Sequence, residues 1–142
     1  FFSCDFKKNS IGPLKLGNLD AKRDWGFAGD YVKAMHMMLQ AKEPDDYVIG
    51  TGTKKTVRDF CNLTMDQLAL DHYWQGEGVE EKCFLKKDDT LIIEVSEEYF
   101  RPSEVNTLLA DPSKAKNKLG WESKTSLKEL VSMMVEFELN NI

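Results

Sequence analysis

Cysteine and histidine are scarce in this chain of 142 residues, with three of the first and two of the second. Cys4, Cys61 and Cys83 form no Cys-x-x-Cys spacing, and His36 and His72 lie far from each other and from any cysteine. Neither a disulfide framework nor a zinc site is expected from such a set. Free thiols in a reducing, cytoplasmic compartment are the expectation instead. Positive charge is also in deficit. Lys and Arg total 19 against 24 Asp and Glu, a net charge of −5, so the basic footprint of a nucleic-acid binder is missing. A local cationic site for a small anion stays compatible with that total, because steering depends on local fields. No apolar run approaches the roughly 20 residues of a membrane span. The opening FFSCDFKKNS is charged too early to be the apolar core of a secretory signal.

Several catalytic signatures are absent too. No Gly-x-Ser-x-Gly, His-Glu-x-x-His or Walker-type loop occurs. No tyrosine is followed four residues later by lysine. Gly50-Thr51-Gly52 follows a strand-like run and precedes a helical one, but Thr53-Lys54-Lys55 come next, with no third glycine. That segment is expected to be a strand-to-helix turn rather than a phosphate cradle.

What remains is an ordinary globular composition, 42% apolar and 30% charged, of one domain's length. Residues 1–13 have no clear period. Leu14–Leu16, Tyr47–Ile49, His72–Gln75 and Thr90–Val95 read as short strands. Gly29–Ala41 reads as a helix whose Val32, Met35, Met38 and Leu39 recur at three and four residues, a stripe expected to pack inward. Thr56–Leu68 reads as a second helix, opened by a Thr56–Asp59 pair weaker than a full capping box. Residues 79–89 are mostly charged and read as a surface loop. Asp111-Pro112 is the expected start of a helix ending at Leu119, with Gly120 as its stop. Ser126-Leu127-Lys128-Glu129 is a full capping box. It opens a helix to about Asn140 that turns Leu127, Leu130, Val131, Met134 and Val135 inward. Strands alternating with helices indicate an α/β layer arrangement.

Two segments carry anion-binding equipment. In Lys22-Arg23-Asp24-Trp25, a guanidinium can fork two hydrogen bonds to phosphate oxygens, and Asp24 can hold Arg23 or cap the next helix. In Tyr99-Phe100-Arg101-Pro102-Ser103-Glu104, the proline forces Arg101 into extended backbone, and Glu104 can accept from ribose hydroxyls. By themselves the first segment reads as an ordinary surface ion pair and the second as an N-capped helix with a local salt bridge.

LGNLDAKRDWGFAGDYVKAMHMMLQ, DDYVIGTG with TVRDF, and EYFRPSEVNTLLADPSKAKNKLGW resemble, in order and spacing, the C-terminal part of the GDP-mannose 4,6-dehydratases, which are extended short-chain dehydrogenase/reductases. The resemblance runs from about Leu14 to about Leu139 and leaves residues 1–13 unplaced. It implies an α/β fold: the substrate-binding portion of a Rossmann-like enzyme, over 14–142, lacking the N-terminal cofactor half. That family oxidises the sugar at C4 with bound NADP, eliminates water across C5 and C6, and returns the hydride to C6. The resemblance implies that Arg23 and Arg101 contact the diphosphate of GDP-mannose and that Glu104 bonds the ribose, with Lys22 and Tyr99 nearby. The family's Thr-Gly-x-x-Gly-x-x-Gly loop, its proton-transfer Thr and Glu, and its Tyr-x-x-x-Lys pair are not in this sequence. No catalytic residue and no NADP binding are therefore expected of this chain alone. A UDP- or dTDP-sugar dehydratase or epimerase, and a non-catalytic nucleotide-sugar module, remain alternatives. The Gly29–Ala41 helix and the Tyr47–Gly50 strand resemble parts of the family's large sheet layer. Without that sheet they are expected to expose apolar surface and favour self-association.

Overall fold

The computed structural model of the chain describes residues 12–101 and 107–141. Its strands are β1 (Leu14–Leu16), β2 (Lys22–Arg23), β3 (Lys55–Thr56), β4 (His72–Gln75), β5 (Lys82–Leu85) and β6 (Leu91–Val95). Its α-helices are α1 (Ala28–Leu39), α2 (Val57–Gln67), α3 (Ser113–Leu119) and α4 (Leu127–Asn140). Four strands form one mixed sheet in the order β1-β6-β5-β4. β4, β5 and β6 run antiparallel in succession, and β1 joins the far side parallel to β6, with Leu14 opposite Ile93 and Leu16 opposite Val95. β2 and β3 make a separate antiparallel pair.

The buried residues form two separate cores. Beneath α2, the buried Cys61 and Met65 meet Cys83 and Leu85 of β5 and Ile92 and Ile93 of β6. Near-complete burial of side chains such as Met65, Leu85 and Ile93 contributes about 1.5–3 kcal/mol each. The second core is smaller: Ala34 of α1 and Ala115 of α3 pack with Trp121, and Tyr31, Tyr47 and Ile49 lie against them. Buried polar groups tie these cores to their surroundings. Glu81 is buried, and Arg58 donates to both of its carboxylate oxygens and to Asp20 Oδ1 at 2.8 Å while lying over the Trp74 ring. Asp30 is buried at the start of α1, where its Oδ2 accepts from the backbone N–H of Lys124 at 3.0 Å and Thr125 at 2.9 Å. Burial pushes Asp30 upward, but those N–H groups, the Thr125 side chain and Lys33 outweigh it and hold the carboxyl at about 2.

The termini follow the local sequence. Ser126 and Glu129 form a reciprocal capping box. Thr56 and Asp59 do the same, so that pair caps as completely as a Thr/Glu box. Gly120 sits at φ 68°, and its N–H donates to Lys116 O at 3.0 Å, the 5→1 closure of an αL cap.

Five expectations are corrected. Residues 79–89 are not a loop throughout: a 3₁₀ turn (Gly78–Glu80) leads into β5, whose Cys83 and Leu85 are buried while Lys82 and Phe84 lie on the other face. The charges there flank a period-two strand. Tyr47–Ile49 forms no strand, because no strand among the described residues lies beside it to pair with. Three of the four stripe residues of α1 face outward: Val32, Met35 and Leu39 are exposed, Met38 packs half-buried against the second core, and Ala34 and Asp30 are buried. Together with exposed Val48, this is the uncovered apolar surface expected for a helix and segment without a sheet to cover. Met134 is exposed as well, leaving Val131 and Val135 as the buried residues of α4. Finally, Pro112 rather than Asp111 is the N-cap of α3, and Asp111 accepts from the Ser113 N–H from one position earlier.

Candidate functional site

The chain leading to Arg23 is tied to the chain on either side of the Arg101 stretch. Ser96 N–H donates to Leu16 O, which brings the end of β6 beside the end of β1. Gly17 then passes so close to the Tyr99 backbone that a Cβ there would stand 2.4 Å from the Tyr99 carbonyl oxygen. Farther along, Lys22 bridges Thr107 in parallel register, and Leu108 N–H donates to Lys22 O at 3.1 Å. Arg23 turns its guanidinium back onto that same carbonyl, Nη1 to Lys22 O at 2.9 Å. The chain around Arg101 is therefore held to Leu16-Gly17 before residues 102–106 and to Lys22 after them. Arg23 is half-buried, and Lys22, Tyr99 and Arg101 are exposed. Pro102, Ser103 and Glu104 lie outside the described residues.

Asp24 neither holds Arg23 nor caps α1, whose N-cap is Phe27 with no side-chain bond. Its carboxylate instead gathers donors from two other segments. Oδ1 accepts from Thr51 N–H at 2.8 Å and Thr51 Oγ1–H at 2.6 Å. Oδ2 accepts from Gly52 N–H at 3.0 Å and Ala110 N–H at 3.4 Å. The Gly50-Thr51-Gly52 turn is thus an anion receptor already filled by the protein's own carboxylate. Trp25 secures the other side of the same stretch, donating from Nε1 to Lys55 O at 3.1 Å and packing on Phe60.

Other features contribute no chemistry here. Burial pushes the Cys61 thiol up to about 12, aided by neighbouring Cys83, and pushes Cys83 up to about 11, so neither is poised as a thiolate. His72 and Trp74 both direct a ring nitrogen to Asn62 Oδ1, an internal tie between α2 and β4. An apolar cavity of about 540 Å³ is lined by Phe60, Thr64, Val131, Met134 and Phe137 and by neither Arg23 nor Arg101. Its lining offers nothing to a charged diphosphate. Among the described residues no group of His, Cys, Asp and Glu is placed to hold a metal, and no helix is long and apolar enough to cross a membrane.

The sequence reading missed how Asp24 and Arg58 are used. Asp24 finds its donors 27 and 86 residues away, and Arg58, inside the TVRDF stretch, is occupied by Glu81 and Asp20. Neither partnership leaves a local signal.

A family model described as GDP-mannose 4,6 dehydratase matches residues 3–134, reaching back into the opening segment that the sequence alone leaves unplaced. GDP-mannose 4,6 dehydratase 2 of Caenorhabditis elegans is 47% identical over 126 residues, which covers 89% of this chain and 33% of that protein. A GDP-mannose 4,6-dehydratase of Vibrio cholerae serotype O1 is 46% identical over 136 residues, covering 89% of this chain and 36% of its own length. The chain spans about a third of the length of these curated relatives. Among solved structures, RMD from Pseudomonas aeruginosa complexed with NADPH superposes with a TM-score of 0.71 at 14% identity, over 96% of this chain and 39% of that one. The dTDP-glucose 4,6-dehydratase of Bacillus anthracis in complex with NAD gives 0.68 at 20% identity, over 92% and 35%. At these identities the structures speak to the fold alone, which is that of the extended short-chain dehydrogenase/reductases.

Proposed function

The chain belongs to the GDP-mannose 4,6-dehydratase family, and from that premise we propose that it supplies the GDP-sugar-binding part of such an enzyme. In this reading Arg23 and Arg101 clamp the diphosphate of GDP-mannose, Lys22 and Tyr99 flank it, and Glu104 takes the ribose. The observation that carries the reading is that the chain leading to Arg23 is tied to the chain before Arg101 at Leu16–Ser96 and to the chain after it at Lys22–Leu108. Two guanidiniums presented from such neighbouring stretches can grip a diphosphate from two sides.

In the full-length family NADP supplies hydride transfer. The described residues do not fit that cofactor: the Gly50-Thr51-Gly52 turn spends its Thr51 and Gly52 N–H groups on Asp24, Gly76-Glu77-Gly78 leads into a 3₁₀ turn rather than an α-helix, and no Tyr-x-x-x-Lys pair is present. No step is therefore routed through NADP, and this chain alone is read as inactive in dehydration. The reading places it in the cytoplasm, which the free buried thiols Cys61 and Cys83 suit. It also includes self-association, supported by the exposed Val32, Met35, Leu39 and Val48.

Competition calorimetry with GDP, UDP and dTDP tests the assignment. Preference for GDP supports it. Equal or better binding of UDP or dTDP favours a related dehydratase or epimerase, and absence of binding at millimolar ligand contradicts a nucleotide-sugar role.

A further inference from the structure

We infer that Asp24 is a positioning residue for the diphosphate clamp, one that sets Arg23 against the segment returning from Arg101 by holding Ala110 and the Thr51-Gly52 turn on a single carboxylate. This inference rests on the reading of Arg23 and Arg101 as that clamp.

An ionised carboxylate only accepts hydrogen bonds and has about four lone-pair positions. Asp24 uses both oxygens, on four donors: Thr51 N–H, Thr51 Oγ1–H, Gly52 N–H and Ala110 N–H. These come from two segments beyond the strand pairings next to Asp24, which end at Arg23–Lys55 on one side and Lys22–Thr107 on the other. Two glycines allow the arrangement. Gly52 sits at φ 70°, which turns its N–H toward the same anion as that of Thr51. At Gly50 a Cβ would stand 2.2 Å from the Ala110 Cβ and 3.0 Å from Asp24 Oδ2, so only glycine lets the turn close on this carboxylate.

The placement gives the tie a consequence for binding. Asp24 follows Arg23 directly. Ala110 lies two residues past Leu108, whose N–H donates to the Lys22 carbonyl that Arg23 also contacts. Pulling Ala110 and the turn onto Asp24 thus fixes the register between the Arg23 strand and the end of the stretch that begins at Arg101. Exchanging the carboxylate for an amide removes two of the acceptor positions and aims an NH₂ at the Gly52 and Ala110 donors, or at those of Thr51 if flipped. The tie opens on one side in either orientation.

The test uses the full chain, with calorimetry for GDP and for GMP. A diphosphate clamp makes GDP bind more tightly than GMP, and a positioning residue acts on that ratio. Asp24→Asn is expected to lower the GDP-over-GMP affinity ratio about tenfold, with GMP affinity changed less than about twofold. Thr51→Val, which keeps the N–H but removes the hydroxyl donor, gives a smaller loss, and Thr51→Ser restores the ratio. Should Asp24→Asn fail to fold, the two Thr51 variants carry the test. Amide exchange is read in parallel, and protection at Ala110 and Gly52 is expected to fall in Asp24→Asn while that of β5 and β6 persists. If wild-type chain binds no GDP, the clamp reading falls and this inference with it. If wild type shows the ratio but Asp24→Asn and Thr51→Val leave it unchanged, or lower GDP and GMP affinity alike, the clamp reading stands and the positioning role is overturned.

Discussion

Asp30 gives the sharpest handle on what holds α1 to the rest of the chain. Its carboxylate takes the Lys124 and Thr125 N–H groups at 3.0 and 2.9 Å and the Ser123 hydroxyl at 3.4 Å, while the Trp121 indole donates to its backbone oxygen at 2.9 Å. Asp30→Asn keeps the backbone contact and the shape but loses the charge. The carboxyl lies at about 2 when folded, against an ordinary 3.8. At about 1.4 kcal/mol per pH unit the ionised form contributes about 2 kcal/mol, and less to the extent that solvent screens exposed Lys33. A depressed folded value means that this contribution is complete above the unfolded value and is lost as pH falls through the folded one. Urea denaturation of wild type and Asp30→Asn at pH 7, 4 and 2 reads the difference. The gap is expected to be about 2 kcal/mol at pH 7, smaller at pH 4 and close to gone at pH 2. Carboxylates that do not sense the Asp30 charge titrate alike in both proteins and cancel. Asp45 is one of them, held well below its usual range by the Lys114 and Lys118 ammonium groups. A gap that stays constant from pH 7 to pH 2 would refute the reasoning, because it would show that Asp30 acts by shape rather than by charge.

Further outcomes follow from the same contacts. Arg58→Met strands the buried Glu81 carboxylate and is expected to destabilise by about 3–5 kcal/mol in urea, with Glu81→Met in the same chain recovering most of the loss. Ser126→Ala and Thr56→Ala each remove one side of a capping box and should lower stability by about 1 kcal/mol, measured as a shift in the urea midpoint at unchanged slope. In Gly17→Ala the new methyl meets the Tyr99 carbonyl and must displace the Tyr99–Arg101 stretch. Weaker GDP binding is expected, and wild-type affinity in this variant would detach Tyr99 and Arg101 from the site.

Local signals in the sequence were read well and directional ones less so. The caps at Ser126, Thr56 and Gly120 appear where side-chain chemistry places them, because each is settled within six residues of chain. The period of α1 was also legible, but not which side of it faces the core. Val32, Met35 and Leu39 mark a helical stripe whether it faces the core or the surface, and here small Ala34 packs against Ala115 and Trp121 instead. β5 was obscured by its flanking charges, since only two residues of Lys82–Leu85 face inward. Tyr47–Ile49 has the composition of a strand, but a strand also needs a neighbour, and pairing is a non-local property. At the candidate site, Arg23 and Arg101 stood out by residue type and by resemblance. What holds their segments in place did not, because Asp24 reaches across 86 residues to Ala110.

The central claim is that two arginine segments, zipped together by the fold, grip a diphosphate. Calorimetric titration of wild-type chain and Arg23→Lys with GDP and with GMP tests it most directly. Wild type is expected to prefer GDP. Arg23→Lys is expected to lose about tenfold in GDP affinity while GMP affinity changes little, because an ammonium cannot reproduce the guanidinium fork. Equal affinity of wild type for GDP and GMP, or an Arg23→Lys chain that binds GDP as wild type does, would contradict the account.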